Sequence, residues 1–286
     1  MDDRHTLTAG SLSATVLAQG AELCSLVWAD GTELIWPAKS RWPSHGPLLF
    51  PVVGELTDHV LTVGGRDYQM ERHGFARRQV FEWVSRTPGS CTLAITDTPE
   101  TRAHYPFAFR LEAAYTIGAD GLRVSLTANN TGDTPLPCSM GFHPAFNWPL
   151  DGGPKEGYRI ELSDVEGDTV GQLDDAGLVA RRVPSPLQGR TLHLAETVFA
   201  HDALVFDPLR STGARYVGPG GGGVEVSWSN ATQLGIWSKP GDFVCIEPWH
   251  GFASPAGFRG EFTDKPGLMH IQPGAAGTIS MTIRPV

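Results

Sequence analysis

Turn-forming residues recur so densely along this chain that no long helix has room to form. Its 34 glycines and 22 prolines are spread from end to end, and both residue types weaken a helix interior while suiting the turns between short strands. Between them lie runs with strand chemistry: Ser13-Ala14-Thr15-Val16-Leu17, Glu33-Leu34-Ile35-Trp36, Cys91-Thr92-Leu93-Ala94-Ile95 and Leu122-Arg123-Val124-Ser125-Leu126-Thr127. The last alternates apolar and polar residues, the period-two pattern of a strand with one buried face. Asp30-Gly31, Gly64-Gly65, Asp120-Gly121 and Thr131-Gly132-Asp133 have the composition of hairpin turns. The one low-complexity patch, Pro219-Gly220-Gly221-Gly222-Gly223, lacks the Gly-Lys-Ser/Thr ending of a phosphate-binding loop and reads as a hairpin loop. The pattern predicts an all-β chain, a large antiparallel β-sandwich, with residues 1–286 in one domain, since sandwiches reach this length undivided.

With 41% hydrophobic and 19% charged residues, the chain has enough apolar material for a sizeable core. A net charge of −9 argues against nucleic acid or an anionic membrane as partner, because either needs a basic patch. Met1-Asp2-Asp3-Arg4-His5 has neither the basic nor the apolar region of a secretory signal. Cys24, Cys91, Cys138 and Cys245 are scattered without a C-x-x-C pair, as expected of reduced core thiols. A cytoplasmic protein, monomeric or a homodimer, is the expectation.

Three segments each set an ionisable side chain among aromatic, glycine and proline residues: His73-Gly74-Phe75, Gly141-Phe142-His143-Pro144 and Cys245-Ile246-Glu247-Pro248-Trp249. A residue before proline is pushed into the extended region, so His143 and Glu247 are expected to project from strands in a fixed direction. Strand alternation puts Cys245, Glu247 and Trp249 on one face. An unpaired buried carboxylate is costly and tends to survive at working sites; the structural alternative is a buried glutamate paired with an arginine. For His143 and His73 the alternative is a hydrogen-bonded core histidine. Metal binding is a rival for two histidines and a glutamate, but no H-x-x-x-H or H-E-x-x-H spacing occurs. No G-x-S-x-G elbow exists. Of the eight tryptophans, Trp148 and Trp249 adjoin the candidate chemistry and could stack on a sugar.

Taken together and in order, Gly20-Ala21-Glu22-Leu23, Pro47-Leu48-Leu49-Phe50-Pro51, His73-Gly74-Phe75-Ala76-Arg77, Tyr105-Pro106-Phe107, Gly141-Phe142-His143-Pro144 and Cys245-Ile246-Glu247-Pro248-Trp249 resemble the aldose 1-epimerase (galactose mutarotase-like) family, most closely its LacX-like branch. The resemblance runs over nearly the whole chain. It implies a β-supersandwich that interconverts the α and β anomers of free aldoses without a cofactor or metal. It further implies Glu247 as general base and His143 as general acid, with His73 near the ring oxygen and Asp202 as a substrate-binding aspartate. Other mutarotases carry an Asn-Arg pair after the glycine that matches Gly54. Glu55-Leu56-Thr57-Asp58-His59 replaces it here, and Arg77 is the candidate substitute.

The chemistry fits these residues independently. Opening a cyclic hemiacetal requires removing the anomeric hydroxyl proton and protonating the ring oxygen, tasks for an ionised Glu247 and a protonated His143. Two alternatives stay open: a hexose-6-phosphate 1-epimerase using Arg72, Arg77 and Arg78, and a carbohydrate-binding protein that no longer catalyses. A glycoside hydrolase would need two opposed carboxylates, and Glu247 is the single confident one.

Overall fold

The computed structural model describes residues 3–150, 152–239 and 241–286. Two large antiparallel sheets dominate. The first has nine strands side by side in the order Thr191–His193, Arg159–Leu162, Gly213–Val217, Gly223–Ser229, Ala276–Pro285, Gly121–Asn130, Phe109–Gly118, Ser90–Thr96 and Glu82–Arg86. The second has eight: Val179–Pro184, Thr169–Leu173, Leu204–Phe206, Gln233–Trp237, Phe243–His250, Met140–Phe142 and Leu48–Leu49, with Ala145–Asn147 also paired to Phe243–His250. Among the described residues, helix is confined to the single turn Pro99–Arg102 and four 3₁₀ turns. None is long and apolar enough to cross a membrane.

Alternation builds the core. In Gly121–Asn130 the even positions Leu122, Val124 and Leu126 are buried. They stand level with Ile283, Met281 and Ile279 on one side and with Ile117, Tyr115 and Ala113 on the other. The second sheet lies against this one where Met140–Phe142 and Phe243–His250 meet Ala276–Pro285. Gly64-Gly65 and Asp120-Gly121 stand at hairpin turns, and residues 218–222 connect Gly213–Val217 to Gly223–Ser229.

Glu33-Leu34-Ile35-Trp36, expected as a strand, makes only isolated bridges, Glu33 to Val27 and Ile35 to Phe146. The Glu33 carboxylate explains this: it accepts the backbone N–H groups of Leu26 and Ile35, each at 2.9 Å. A side chain that takes backbone donors offers the chain an alternative to a ladder.

One buried cation fixes a loop behind the site. Lys265 is 3% exposed and donates through Nζ to the Phe252 carbonyl at 2.5 Å, next to Ala253. Burial lowers its pKa from 10.5 to about 7. The unfolded chain therefore holds that proton up to higher pH, and stability rises between about pH 7 and 10.5 as the unfolded form loses its advantage. At about 1.4 kcal/mol per unit the effect reaches at most ~5 kcal/mol. Lys265→Met removes this slope; urea unfolding at both ends of that window checks it, and equal slopes in both proteins would contradict it.

Candidate active site

The strand Phe243–His250 carries the site. Its even positions Val244 and Ile246 belong to the main core, whereas Cys245 and Trp249 on the opposite face join smaller apolar clusters. Along one side run Met140–Phe142 and Ala145–Asn147, separated by His143 and Pro144. The register is unchanged across this gap: Met140 pairs with His250 and Gly141 with Trp249 before it, Ala145 with Cys245 and Phe146 with Val244 after it. His143 therefore stands level with Glu247. Glu247 lies on a strand as expected; His143 sits at a break instead, because Pro144 and Pro248 have no N–H to give the ladder. Level neighbours have close side chains, and His143 Nε2 is 3.2 Å from Glu247 Oε2.

Aromatic rings hold the pair in place. Trp42 stacks on the His143 imidazole with centroids 5.0 Å apart, and Trp237 and His73 meet it edge-on at 5.7 and 5.5 Å. The Trp249 indole lies across two glycines: a Cβ on Gly141 would come within 2.5 Å of the ring, and one on Gly235 within 2.3 Å. Neither position has room for a side chain, which accounts for glycine on both strands flanking Trp249.

His73 has a fixed tautomer. The Gly54 N–H donates to His73 Nδ1 at 3.1 Å, while the His73 N–H donates to the Gly54 carbonyl at 2.8 Å. With Nδ1 accepting, the ring proton of the neutral imidazole resides on Nε2. Burial, followed by His143, Arg72 and Arg77, keeps His73 well below the usual histidine range. Arg72 approaches Asp202 through Nη2 at 3.4 Å, and Arg77 donates to the Arg72 carbonyl at 2.8 Å while its Nε is buried without a partner.

Burial acts on both members of the central pair in the direction of neutrality. It raises Glu247 well above the ordinary carboxylate value and lowers His143 to about 3. Arg72 and the Trp249 indole favour the Glu247 anion, although the indole falls short of an aligned hydrogen bond and Trp249 Nε1 has no partner. Glu247 Oε2 and His143 Nδ1 are likewise unpaired, so the 3.2 Å approach is close contact without hydrogen-bond alignment. Burial thus pushes both groups away from the ionised glutamate and protonated histidine that ring opening uses, while Arg72 pulls Glu247 back toward its anion. No arginine forms an ion pair with Glu247 among the described residues.

All six sequence-derived site residues (Glu247, His143, His73, Asp202, Arg77 and Trp249) line one cavity of about 230 Å³. That is smaller than the roughly 300–1,000 Å³ of pockets for drug-sized ligands. Arg72, Trp42, Trp237, Leu173 and Val205 share the wall. Trp148 does not: it lies in the main core and donates Nε1 to the Lys155 carbonyl. Arg78 also points elsewhere, ion-paired with Glu71. Trp42 and Trp237 were missed from sequence because only tertiary packing, of a loop for Trp42 and of a neighbouring strand for Trp237, brings them here. Trp237 pairs with Cys245, two residues from Glu247 on the neighbouring strand.

Comparison with known proteins places the fold among galactose mutarotase-like structures. The chromosomal protein LacX of Lactococcus lactis subsp. lactis is 29% identical over 268 residues, covering 89% of this chain and 90% of that protein. The crystal structure of a galactose mutarotase related enzyme from Lactobacillus acidophilus superposes with a TM-score of 0.90 at 30% identity, covering 99% of this chain and 97% of that one. A galactose mutarotase-like protein from Lactobacillus casei ATCC 334 gives a TM-score of 0.93 at 25% identity, covering 99% and 100%. The family profile described as aldose 1-epimerase matches residues 3–261, and the chain belongs to the aldose 1-epimerase family.

Proposed function

We propose that this chain is a cofactor-independent aldose 1-epimerase acting on free monosaccharides, working as one domain in the cytoplasm as a monomer or homodimer. The observation that carries the reading is the register-matched pair of Glu247 and His143, 3.2 Å apart on the wall of a small cavity. A proton transfer within the pair converts its neutral form into a carboxylate and an imidazolium. The carboxylate removes the anomeric hydroxyl proton as the imidazolium protonates the ring oxygen. The open aldehyde rotates about its C1–C2 bond and closes on the other face with the roles reversed. Each positioned acid or base contributes on the order of 10²–10⁴-fold. His73 Nε2–H donates to a sugar oxygen near the anomeric centre. Asp202 and Arg77 bind hydroxyls from the rim, and Trp249 offers its face to the apolar side of the ring.

The 6-phosphate reading has Arg72 and Arg77 in its favour. Arg72 already faces Asp202, however, and Arg77 is tied to a backbone carbonyl, which leaves less positive charge free than a phosphate site needs. Polarimetry on freshly dissolved pure anomers of hexoses, pentoses and their 6-phosphates tests the assignment. Free sugars are expected to turn over with the higher kcat/KM. A strong preference for a 6-phosphate, lost in Arg77→Ala, would replace this reading with a hexose-6-phosphate 1-epimerase. Absence of acceleration for every sugar, with binding intact, would replace it with a carbohydrate-binding protein.

A further inference from the structure

Cys245 has no part in the chemistry above, yet it stands two residues before Glu247 on the same strand face. One nitrogen of His143, Cys245 Sγ and one oxygen of Glu247 all lie within 4.8 Å of one another. All three residues are buried, and Glu247 Oε2, the oxygen that faces His143 Nε2, lacks a hydrogen-bond partner. Nitrogen, sulfur and carboxylate oxygen form a mixed donor set suited to zinc-like ions and poorly suited to magnesium or calcium. Bond lengths of roughly 2.0–2.3 Å in tetrahedral geometry put ligand atoms about 3.3–3.7 Å apart. The His143–Glu247 edge, at 3.2 Å, is near that already. No edge exceeds 4.8 Å, so closing the site asks for at most about 1 Å of side-chain movement.

We infer that His143, Cys245 and Glu247 form a three-ligand site for a thiophilic divalent cation, zinc foremost, whose occupation silences the enzyme. Glu247 and His143 line the sugar cavity and Cys245 does not. An ion entering from the cavity therefore meets the carboxylate and imidazole first, takes the thiolate behind them, and keeps its fourth position open to the cavity. Binding releases the thiol proton, and the carboxyl proton where present, to solvent. The ion then occupies the lone pairs that proton transfer requires. The binding half of the inference needs no enzymatic activity; the silencing half rests on the proposed function.

Titration of the full, metal-free chain with Co²⁺ tests it. One equivalent is expected to produce a thiolate-to-cobalt charge-transfer band that Zn²⁺ abolishes by displacing the probe. Saturating Zn²⁺ is expected to slow mutarotation at least ~100-fold, with recovery on chelation. Cys245→Ser is expected to lose the band, to keep its ion-free rate and to resist zinc. Should that variant fold poorly, His143→Asn loses the band in a protein whose circular dichroism is native. A wild-type chain with no thiolate band overturns the site. So does a band that survives Cys245→Ser, which assigns it to Cys24, Cys91 or Cys138, or zinc inhibition of equal strength in Cys245→Ser. A chain that shows the Cys245-dependent band but accelerates no anomerisation supports the site and refutes the epimerase reading.

Discussion

Glu247→Gln lowers kcat by about 10²–10⁴-fold, the loss expected for a positioned acid–base group, while sugar affinity changes far less. The amide keeps the shape of the side chain and its 3.2 Å approach to His143, but it cannot accept the anomeric proton. Stability is expected to hold, because burial already favours the uncharged carboxylic acid and glutamine is its near-isostere. His143→Asn loses a comparable factor by removing the other proton carrier. Groups acting as a unit are strongly non-additive, so the double variant is expected to be little worse than the more damaged single one. Losses that multiply would mean that the two residues serve separate steps. Rate measurements on the three variants with one aldose decide this.

The pH profile is the second expectation, and its sign follows from burial. The pair works while it holds one shared proton. On the acid side a second proton lands on His143, whose pKa is pushed down to about 3. On the alkaline side the remaining proton leaves a carboxyl whose pKa burial has raised well above its usual value. Burial therefore moves the two pKa values in opposite directions, histidine down and glutamate up, and the limbs of kcat/KM describe the pair rather than either residue alone. Beyond each limb the rate falls about tenfold per pH unit. The residual activities of Glu247→Gln and His143→Asn each lose the bell shape, because a single titrating group remains. A wild-type alkaline limb centred near the ordinary histidine value, and lost in His143→Asn, would show that the imidazolium is the resting form and that burial has been outweighed by the ion pair.

Local chemistry made much of this molecule legible from sequence. Glycine and proline spacing excluded long helices, and alternation in Leu122 to Thr127 marked a strand with one buried face. Glu247 and His143 stood out because each is an ionisable residue before a proline in an apolar segment. Their mutual register was not legible. It depends on which strand pairs with Phe243–His250, and the partner lies about a hundred residues upstream with no local signal to name it. Trp42 and Trp237 escaped for the same reason, since both reach His143 only through tertiary packing. Glu33 misled in the opposite way: its segment has strand composition, but its carboxylate takes the N–H groups that a ladder would use. Lys265 carries no local sequence signal, and its shifted pKa follows only from its burial against the Phe252 carbonyl.

Magnetisation exchange between the α and β anomeric protons of a free aldose, recorded by NMR at anomeric equilibrium, reads the proposed step without a coupled reaction. The wild-type chain is expected to accelerate exchange well above buffer. Folded Glu247→Gln and His143→Asn are expected to fall back toward the buffer rate while saturation transfer shows the sugar still bound. Near-normal exchange in either folded variant would contradict the assignment of the proton transfers to this pair.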